Sequence, residues 1–459
     1  MRVLLVDPPK PRWWLLADTV LPPVGLAYLA GYLRERGVEV RVLDCTALGL
    51  DWEDLEREIE RYAPDVVGVG APTCYVERAM KVFEIAKRVD RDVVCVAGGI
   101  HFTLAFRESL RECEHIDYVV LGEGELTFYE LLEALRGRKR LEEVRGVALR
   151  RGGDVVTTGR RPLIRDLDSL PIPAWDLLPM ERYRVVAWGS ASMLVSSRGC
   201  PFECSFCSER VFWRGVWRAH SARRVVREME ILAEKYGKRV VWFGDDTFNL
   251  CRKRISEICE LLLERGLDVS WGFEGRADLL WRDRDLLGKL RDAGFFWVLV
   301  GVESCFQDEL DRYRKGISVE KIKEVFNALK EHDVVTQAMF IVGEKYDDEK
   351  RIKAKADFAI ELDPDFAIFT PLTPFPGTPL YEEAEREGLL ETRDFSKYDL
   401  AHAVMRTYYL SRREVEELMS LCYRKFYGRP LKIARGLLSE SKFRRAVNWY
   451  FFKRLIFGF

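Results

Sequence analysis

Two stretches of this chain alternate short apolar runs with amphipathic helical segments, and each alternation commits its stretch to a parallel sheet covered by helices. In the first, apolar runs at residues 3–6, 38–43, 66–69 and 93–97 are separated by helical patterns at 25–35, 51–62 and 76–88. In the second, six runs at 193–196, 239–243, 269–273, 297–302, 335–342 and 366–371 alternate with helical segments, among them 223–236, 253–265, 319–332 and 348–362. Ligands of parallel sheets gather at the carboxyl ends of the strands. Polar and small residues at those ends are therefore the first place to look for chemistry.

Between the two patterns, a Gly152-Gly153 turn predicts a hairpin over 146–158, and the prolines among residues 170–175 predict an extended strap. With 459 residues, 48% of them hydrophobic, the chain can bury more than one core and falls in the range of two or three domains. Its 73 basic and 74 acidic residues leave a net charge of -1, so it lacks the basic field that nucleic-acid binding uses.

Cys200, Cys204 and Cys207 form a CxxxCxxC triplet with Phe206 just before the last thiol. Three thiolates this close can hold three irons of a [4Fe-4S] cluster and leave the fourth iron open to a substrate. Structural zinc needs four protein ligands, usually drawn from two CxxC pairs, and the chain has no second pair. The other eight cysteines are scattered without a disulfide framework, and residues 1–6 are too short an apolar start for a signal peptide. The expectation is a reduced, cytoplasmic protein.

From about residue 185 onward the chain resembles the radical S-adenosylmethionine (SAM) enzymes, whose cluster ligands Cys200, Cys204 and Cys207 match one for one. Residues 1 to about 145 resemble the cobalamin-binding domain that precedes the barrel in one large subfamily, which includes methyltransferases and the magnesium-protoporphyrin ester cyclase-like enzymes. The resemblance implies an α/β chain: a Rossmann-like doubly wound cobalamin-binding domain over 1–145, a linker over 146–190, a partial (β/α)6 TIM-type barrel over 191–385 and a helical region over 386–459.

The resemblance also implies site residues. Asp245 and Asp246, after the second barrel strand, would face the amino group of SAM, a charge-assisted contact. Arg276 and Glu303, at the ends of the third and fourth strands, would lie near its carboxylate, amine or ribose, or else form an internal ion pair with each other. Gln337 and the turn from Pro374 to Pro379 would complete the pocket, with Phe206 and Phe202 shielding the cluster or the adenine, unless they only pack in a core. Cys305 is read either as a hydrogen-atom donor or as a small buried hydrophobe. Arg210, Trp213, Trp217, Arg218 and His220 either face substrate or anchor the loop.

For cobalamin the resemblance implies Pro8, Pro9, Gly25, Thr73, Gly98, Gly99, His101, Gly122, Glu123, Gly124 and Glu125, the alternative being an ordinary flavodoxin-like sheet with no ligand. Where histidine-ligating domains carry Asp-x-His-x-x-Gly, the run after the second strand is Asp44-Cys45-Thr46-Ala47-Leu48-Gly49. Threonine does not replace imidazole as a ligand, and the resemblance implies a base-off cobalamin without a histidine at cobalt. His101 is expected in a turn, bonding the corrin edge or capping the next helix.

These resemblances imply a C-methyltransferase that uses SAM twice, once to methylate Co(I) and once to make a 5'-deoxyadenosyl radical that strips hydrogen from an unactivated carbon. The alternatives are a cyclase or rearrangement enzyme with the same cofactors, and a non-catalytic cofactor carrier. The substrate stays open among small molecules, lipids and protein side chains, and an external electron donor is required. Aromatics interleaved with Lys and Arg over 442–459 fit an interfacial helix with peripheral membrane contact, or a helix docked on protein.

Overall fold

The computed structural model describes residues 1–11, 19–185 and 187–457. They fall into two compact units, Met1–Tyr183 with Val211–Arg214, and Arg184–Arg210 with Gly215–Phe459.

The first unit is built on β1 (Arg2–Asp7), β2 (Glu39–Asp44), β3 (Val66–Gly70), β4 (Val94–Gly98), β5 (Tyr118–Val120), β6 (Val147–Arg151) and β7 (Asp154–Thr157), in the spatial order β2-β1-β3-β4-β5-β6-β7. The first five are parallel, and Val3 to Val6 are all buried, as expected of strands covered on both faces. Asp51 starts the helix Trp52–Tyr62 with a reciprocal capping box to Asp54.

The expected hairpin forms, with Gly152 and Gly153 both at positive φ as a two-residue turn requires. It is not a free linker: β6 pairs antiparallel with β5 and extends the sheet. The proline strap also belongs to this unit. Ala174 N donates to Ala27 O at 3.0 Å, and a Cβ at Gly31 would stand 2.9 Å from Ile172 O, so glycine lets the strap lie against helix Val24–Glu35. The stretch read as a linker is thus packed into the first unit as far as Tyr183.

The second unit contains β8 (Arg184–Val185), β9 (Gly189–Leu194), β10 (Ser197–Arg198), β11 (Arg218–Ala219), β12 (Val240–Phe243), β13 (Ser270–Arg276), β14 (Phe295–Glu303), β15 (Val335–Val342) and β16 (Phe366–Pro371). Its main sheet runs β16-β15-β14-β13-β12-β9-β8, and the six strands from β9 to β16 are parallel, the expected partial barrel. The first of them was expected at 193–196 but ends at Leu194, because Ser196 turns away to bond Asp245.

Alternation gives each strand two faces. One carries the buried aromatic stack of Phe243, Trp271, Phe273 and Phe295 with Phe248. The other faces the barrel lumen and includes the half-buried Met193, Trp242, Trp297, Leu299 and Met339. A register shift opposite Trp271 and Gly272 places Phe296 as an extra residue in β14 and lets Trp297 stack on Trp242, with ring centroids 4.1 Å apart.

Candidate active site

The cysteine loop begins where β9 ends and is tied down from both sides. Asp245, 3% exposed, accepts from Ser196 N, Ser196 Oγ and Ser197 Oγ, each at 2.6 Å. Arg254 closes the same corner, donating to Ser196 O at 2.8 Å and to His220 O at 2.8 Å. Asp246 accepts from Gly199 N at 2.7 Å, immediately before Cys200. Burial pushes the Asp245 carboxyl up, while Arg254 and the serine donors pull it down.

This differs from the SAM contact expected of Asp245. Three donors from Ser196 and Ser197 reach its two oxygens, one on Oδ1 and two on Oδ2, so it positions the loop. Asp246 also holds the loop, through Gly199.

Farther along, Ser205 N donates to Tyr313 O at 3.2 Å, and Phe206 packs edge-on against the Tyr313 ring with centroids 5.2 Å apart. Phe206 therefore takes the core-anchoring alternative, beside Ile341, Leu372, Leu389 and Met405. Phe202 lies under Arg276, whose guanidinium carbon is 3.6 Å from the ring centroid.

While Thr247 hydrogen-bonds one cluster thiol, Cys200, Arg276 touches another, Cys204. Its Nη1 donates to Cys204 Sγ at 3.2 Å, its Nη2 to Lys315 O at 2.5 Å, and it pairs with Asp278 through Nε at 2.9 Å and Nη2 at 3.2 Å. The suggested Arg276-Glu303 ion pair is absent. Glu303 instead pairs with the buried Lys315.

That pair lies over Gly301, where a Cβ would stand 2.7 Å from Glu303 Oε1 and 2.9 Å from Lys315 Nζ. Glu303 sits at φ 64, an uncommon conformation for a non-glycine residue and one that concentrates at functional sites. Lys315 carried no local signal in the sequence, being one lysine in a polar loop.

Sequence reasoning also missed Glu274. It shares the lumen face of β13 with Arg276, while its strand neighbours Phe273 and Gly275 are buried. Its exposure is to the open lumen, and protein surrounds it. Burial, Glu303 and Asp246 push its carboxyl up to about 7 against the pull of Lys315. A single carboxylate inside an apolar strand was the available signal.

Gln337 is buried on β15, on the same face as Met339. Pro374 is buried before a turn in which Thr378 N donates to Phe375 O at 3.1 Å, and Thr378 caps helix Pro379–Arg386. Cys305 follows the Glu303 corner as a half-buried thiol, pushed up to about 11 by burial and therefore protonated near neutrality. Trp217 donates to Thr247 O at 3.0 Å, Arg210 pairs with Glu203, and Arg218 and His220 are buried, all consistent with anchoring. Trp213 packs edge-on against Phe212.

Three thiols without a fourth protein ligand fit a [4Fe-4S] cluster with one open iron. Among the described residues no three His, Cys, Asp or Glu side chains converge on one metal ion. A cuboidal cluster does not require that, since each thiolate takes a different iron. Burial raises the Cys200 thiol and pushes Cys207 up to about 12, so iron binding has to displace protons.

In the first unit, the parallel register aligns Asp7, Asp44, Gly70, Gly98 and Val120 along one edge. Pro8 and Pro9 are tied by their carbonyls, to Thr46 Oγ1 at 3.2 Å and Arg78 Nη1 at 2.8 Å. Gly99, at φ 84, wedges against Ala71, and a Cβ there would be 3.0 Å from Ala71 N. Gly25 and Gly122 face open space. This glycine-lined edge with room beside it fits a flat macrocycle.

His101 is not a turn residue but lies in helix Gly99–Leu104, 2% exposed, with Nδ1 3.2 Å from Thr73 Oγ1. Burial pushes it down to about 4, so it is neutral. Thr46 Oγ1 is committed to Pro8 O and Lys10 N, and Asp44 accepts from Ala47 N and Tyr183 OH, both at 2.9 Å. Glu123 accepts from Ile164 N at 2.8 Å and so holds the chain after the hairpin. Gly124 makes room for Leu29, and Glu125 is buried.

A parallel edge suited to a macrocycle and a three-thiol loop at the mouth of a partial barrel define a cobalamin-type radical SAM protein. Residues 16–132 match the B12 binding domain and residues 194–359 the radical SAM superfamily. The chain is 35% identical to an uncharacterized methyltransferase of Pyrococcus horikoshii, covering 98% of this chain and 97% of that one. It is 34% identical to the anaerobic magnesium-protoporphyrin IX monomethyl ester cyclase of Rubrivivax gelatinosus, over 93% and 77% of the two chains. The fold superposes on the radical SAM methyltransferase TsrM of Kitasatospora setae, solved with cobalamin and a [4Fe-4S] cluster, with a TM-score of 0.75 at 18% identity, over 99% of this chain and all of that one. The chain belongs to the family of radical SAM enzymes that carry a B12-binding domain.

Proposed function

We propose that the chain is a cobalamin-dependent radical SAM C-methyltransferase. The observation that carries this reading is the three-thiol loop, fixed at the barrel mouth by Asp245, Asp246, Tyr313 and Arg276, in a chain that also has the glycine-lined edge. When bound, a [4Fe-4S] cluster and SAM would supply a 5'-deoxyadenosyl radical, and cobalamin would supply the methyl group.

The protein's own residues have separable tasks. Cys200, Cys204 and Cys207 would hold the iron of the cluster, and Arg276 donates to the Cys204 sulfur. Glu274, the lumen carboxylate, takes the role of facing the positive charge of SAM that had been expected of Asp245. Met193, Trp242, Leu299 and Met339 keep the lumen apolar around the reacting carbon. His101 is buried against Thr73 and the Thr46 hydroxyl is committed to the Pro8 carbonyl, so neither side chain is set out as a ligand for the cobalamin that this edge would hold.

Identity to the cyclase supports a second reading, in which the same radical leads to ring formation without methyl transfer. Anaerobic reconstitution tests the shared chemistry first. The holoenzyme should cleave SAM to 5'-deoxyadenosine, and Cys204→Ala should abolish cleavage while cobalamin stays bound. Cleavage that persists in Cys204→Ala would remove the cluster from the account.

A further inference from the structure

The chain as a whole carries a net charge of -1, yet residues 428–457 hold eight Lys and Arg against the single carboxylate of Glu440. These residues form helices Pro430–Leu437 and Lys442–Phe457, packed on each other where Asn448 covers Gly436. Their outward faces mix cations with large apolar side chains. Leu431, Arg435 and Leu438 follow one another at helical spacing, with Leu431 75% and Leu438 85% exposed. On the next helix Lys442, Arg445, Trp449 and Lys453 form a second exposed stripe, with Trp449 49% exposed and the Lys453 ammonium 5.3 Å from its ring centroid.

Beside these helices lies a cleft of about 730 Å³ in which Arg429 and Lys432 pair with Asp363 and Arg444 with Asp365, while Lys330 and Arg435 line it outside those pairs. Arg429 Nη2 is buried there without a hydrogen-bond partner. Exposed leucines and a tryptophan set among cations are the composition of a helix pair that lies in the interface of an anionic bilayer.

We propose that this face docks on an anionic phospholipid surface, with Leu431, Leu438 and Trp449 entering the interface and the cleft receiving a headgroup phosphate. Its position favours a membrane over an acidic electron-donor protein. Val334, Thr336 and Asp365 place the cleft at the amino ends of β15 and β16, whereas Arg276 and Asp246 hold the cysteines at the carboxyl ends of the strands. An eight-residue strand such as β15 spans roughly 26 Å, so a reductant docked here would sit at the wrong end of the barrel.

Sedimentation of the full-length protein with vesicles tests this independently of its catalytic activity. Binding to phosphatidylcholine vesicles containing phosphatidylglycerol, absent with phosphatidylcholine alone and weakened about tenfold by raising salt from low to high, is the expected result. Leu431→Glu with Leu438→Glu, and separately Arg435→Glu, should lose binding with an unchanged melting temperature, because all three side chains are exposed. Absence of binding by the wild type, or full binding by the variants, would overturn the proposal. So would abolition of vesicle binding by millimolar inorganic phosphate, which would assign the cleft to a free anion. Capture of an acidic flavoprotein by this face with no vesicle binding would overturn it as well.

Discussion

Arg276 concentrates several tasks in one side chain, since it stacks on Phe202, pairs with Asp278 and donates to Cys204 Sγ. A hydrogen bond and a positive charge at a cluster sulfur favour the reduced cluster. Arg276→Gln should therefore shift the cluster midpoint to a more negative potential, read by electron paramagnetic resonance during a redox titration; an unchanged midpoint would remove Arg276 from cluster tuning. Glu274 titrates near neutrality because of its protein surroundings and Glu303. Below about pH 7 it is neutral and attracts cationic SAM less, so SAM affinity should fall as pH drops through that value, and in Glu274→Gln the dependence should disappear. Gly301→Ala should destabilise the fold by about 1–3 kcal/mol in denaturant unfolding, because its Cβ would collide with the Glu303-Lys315 pair. His101 gives a pH signature in the other unit. Its folded value of about 4 lies below the unfolded value near 6.5, so the unfolded chain binds the extra proton and stability falls as pH drops from about 6.5 to 4. That term reaches up to about 3 kcal/mol and should be missing from the difference curve of His101→Gln.

The cysteine loop depends on a buried charge network that the sequence hid. Lys355 donates to Glu309 at 2.6 Å and Asp347 at 2.7 Å with all three side chains fully buried, and Tyr313 OH donates to Glu309 at 3.0 Å. Tyr313 in turn holds Ser205 and Phe206. Lys355→Met removes the one fully buried cation between Glu309 and Asp347 and leaves them only the longer ion pairs to Arg351, at 3.4 and 3.6 Å, so it should cost about 3–5 kcal/mol in chemical denaturation, with poorer cluster retention at matched stability. A Lys355→Met protein that unfolds like the wild type and retains its cluster would show that the network does not support the loop. Residues 347 and 355 are eight positions apart and residue 309 lies 38 before the first of them, and no spacing rule joins the three. Apart from β5 and the two-residue β8, β10 and β11, which were not anticipated, the strands were legible to within a few residues because apolar alternation reports burial directly. β9 was the exception, shifted toward the amino end because Ser196 serves Asp245. The hairpin was legible too, but not its partner: turn chemistry specifies Gly152 and Gly153, whereas pairing with β5 is a tertiary choice.

Across the whole molecule, the cluster ligands were readable because three thiols at fixed spacing have few other uses. The roles of the carboxylates were not, because only tertiary structure shows that Asp245 is consumed by Ser196 and Ser197 while Glu274 faces the lumen. The same holds at the macrocycle edge, where the glycines could be anticipated but the burial of His101 and the commitment of Thr46 to Pro8 could not. The central claim is that one chain uses both cofactors to move a methyl group. The direct measurement is to incubate the anaerobically reconstituted holoenzyme with SAM bearing a trideuterated methyl group and to analyse the bound cobalamin by mass spectrometry. Trideuteromethyl on cobalamin, together with 5'-deoxyadenosine formation, is the predicted result. Formation of 5'-deoxyadenosine with cobalamin that never acquires the label would contradict methyl transfer and leave the cyclase-type reading in its place.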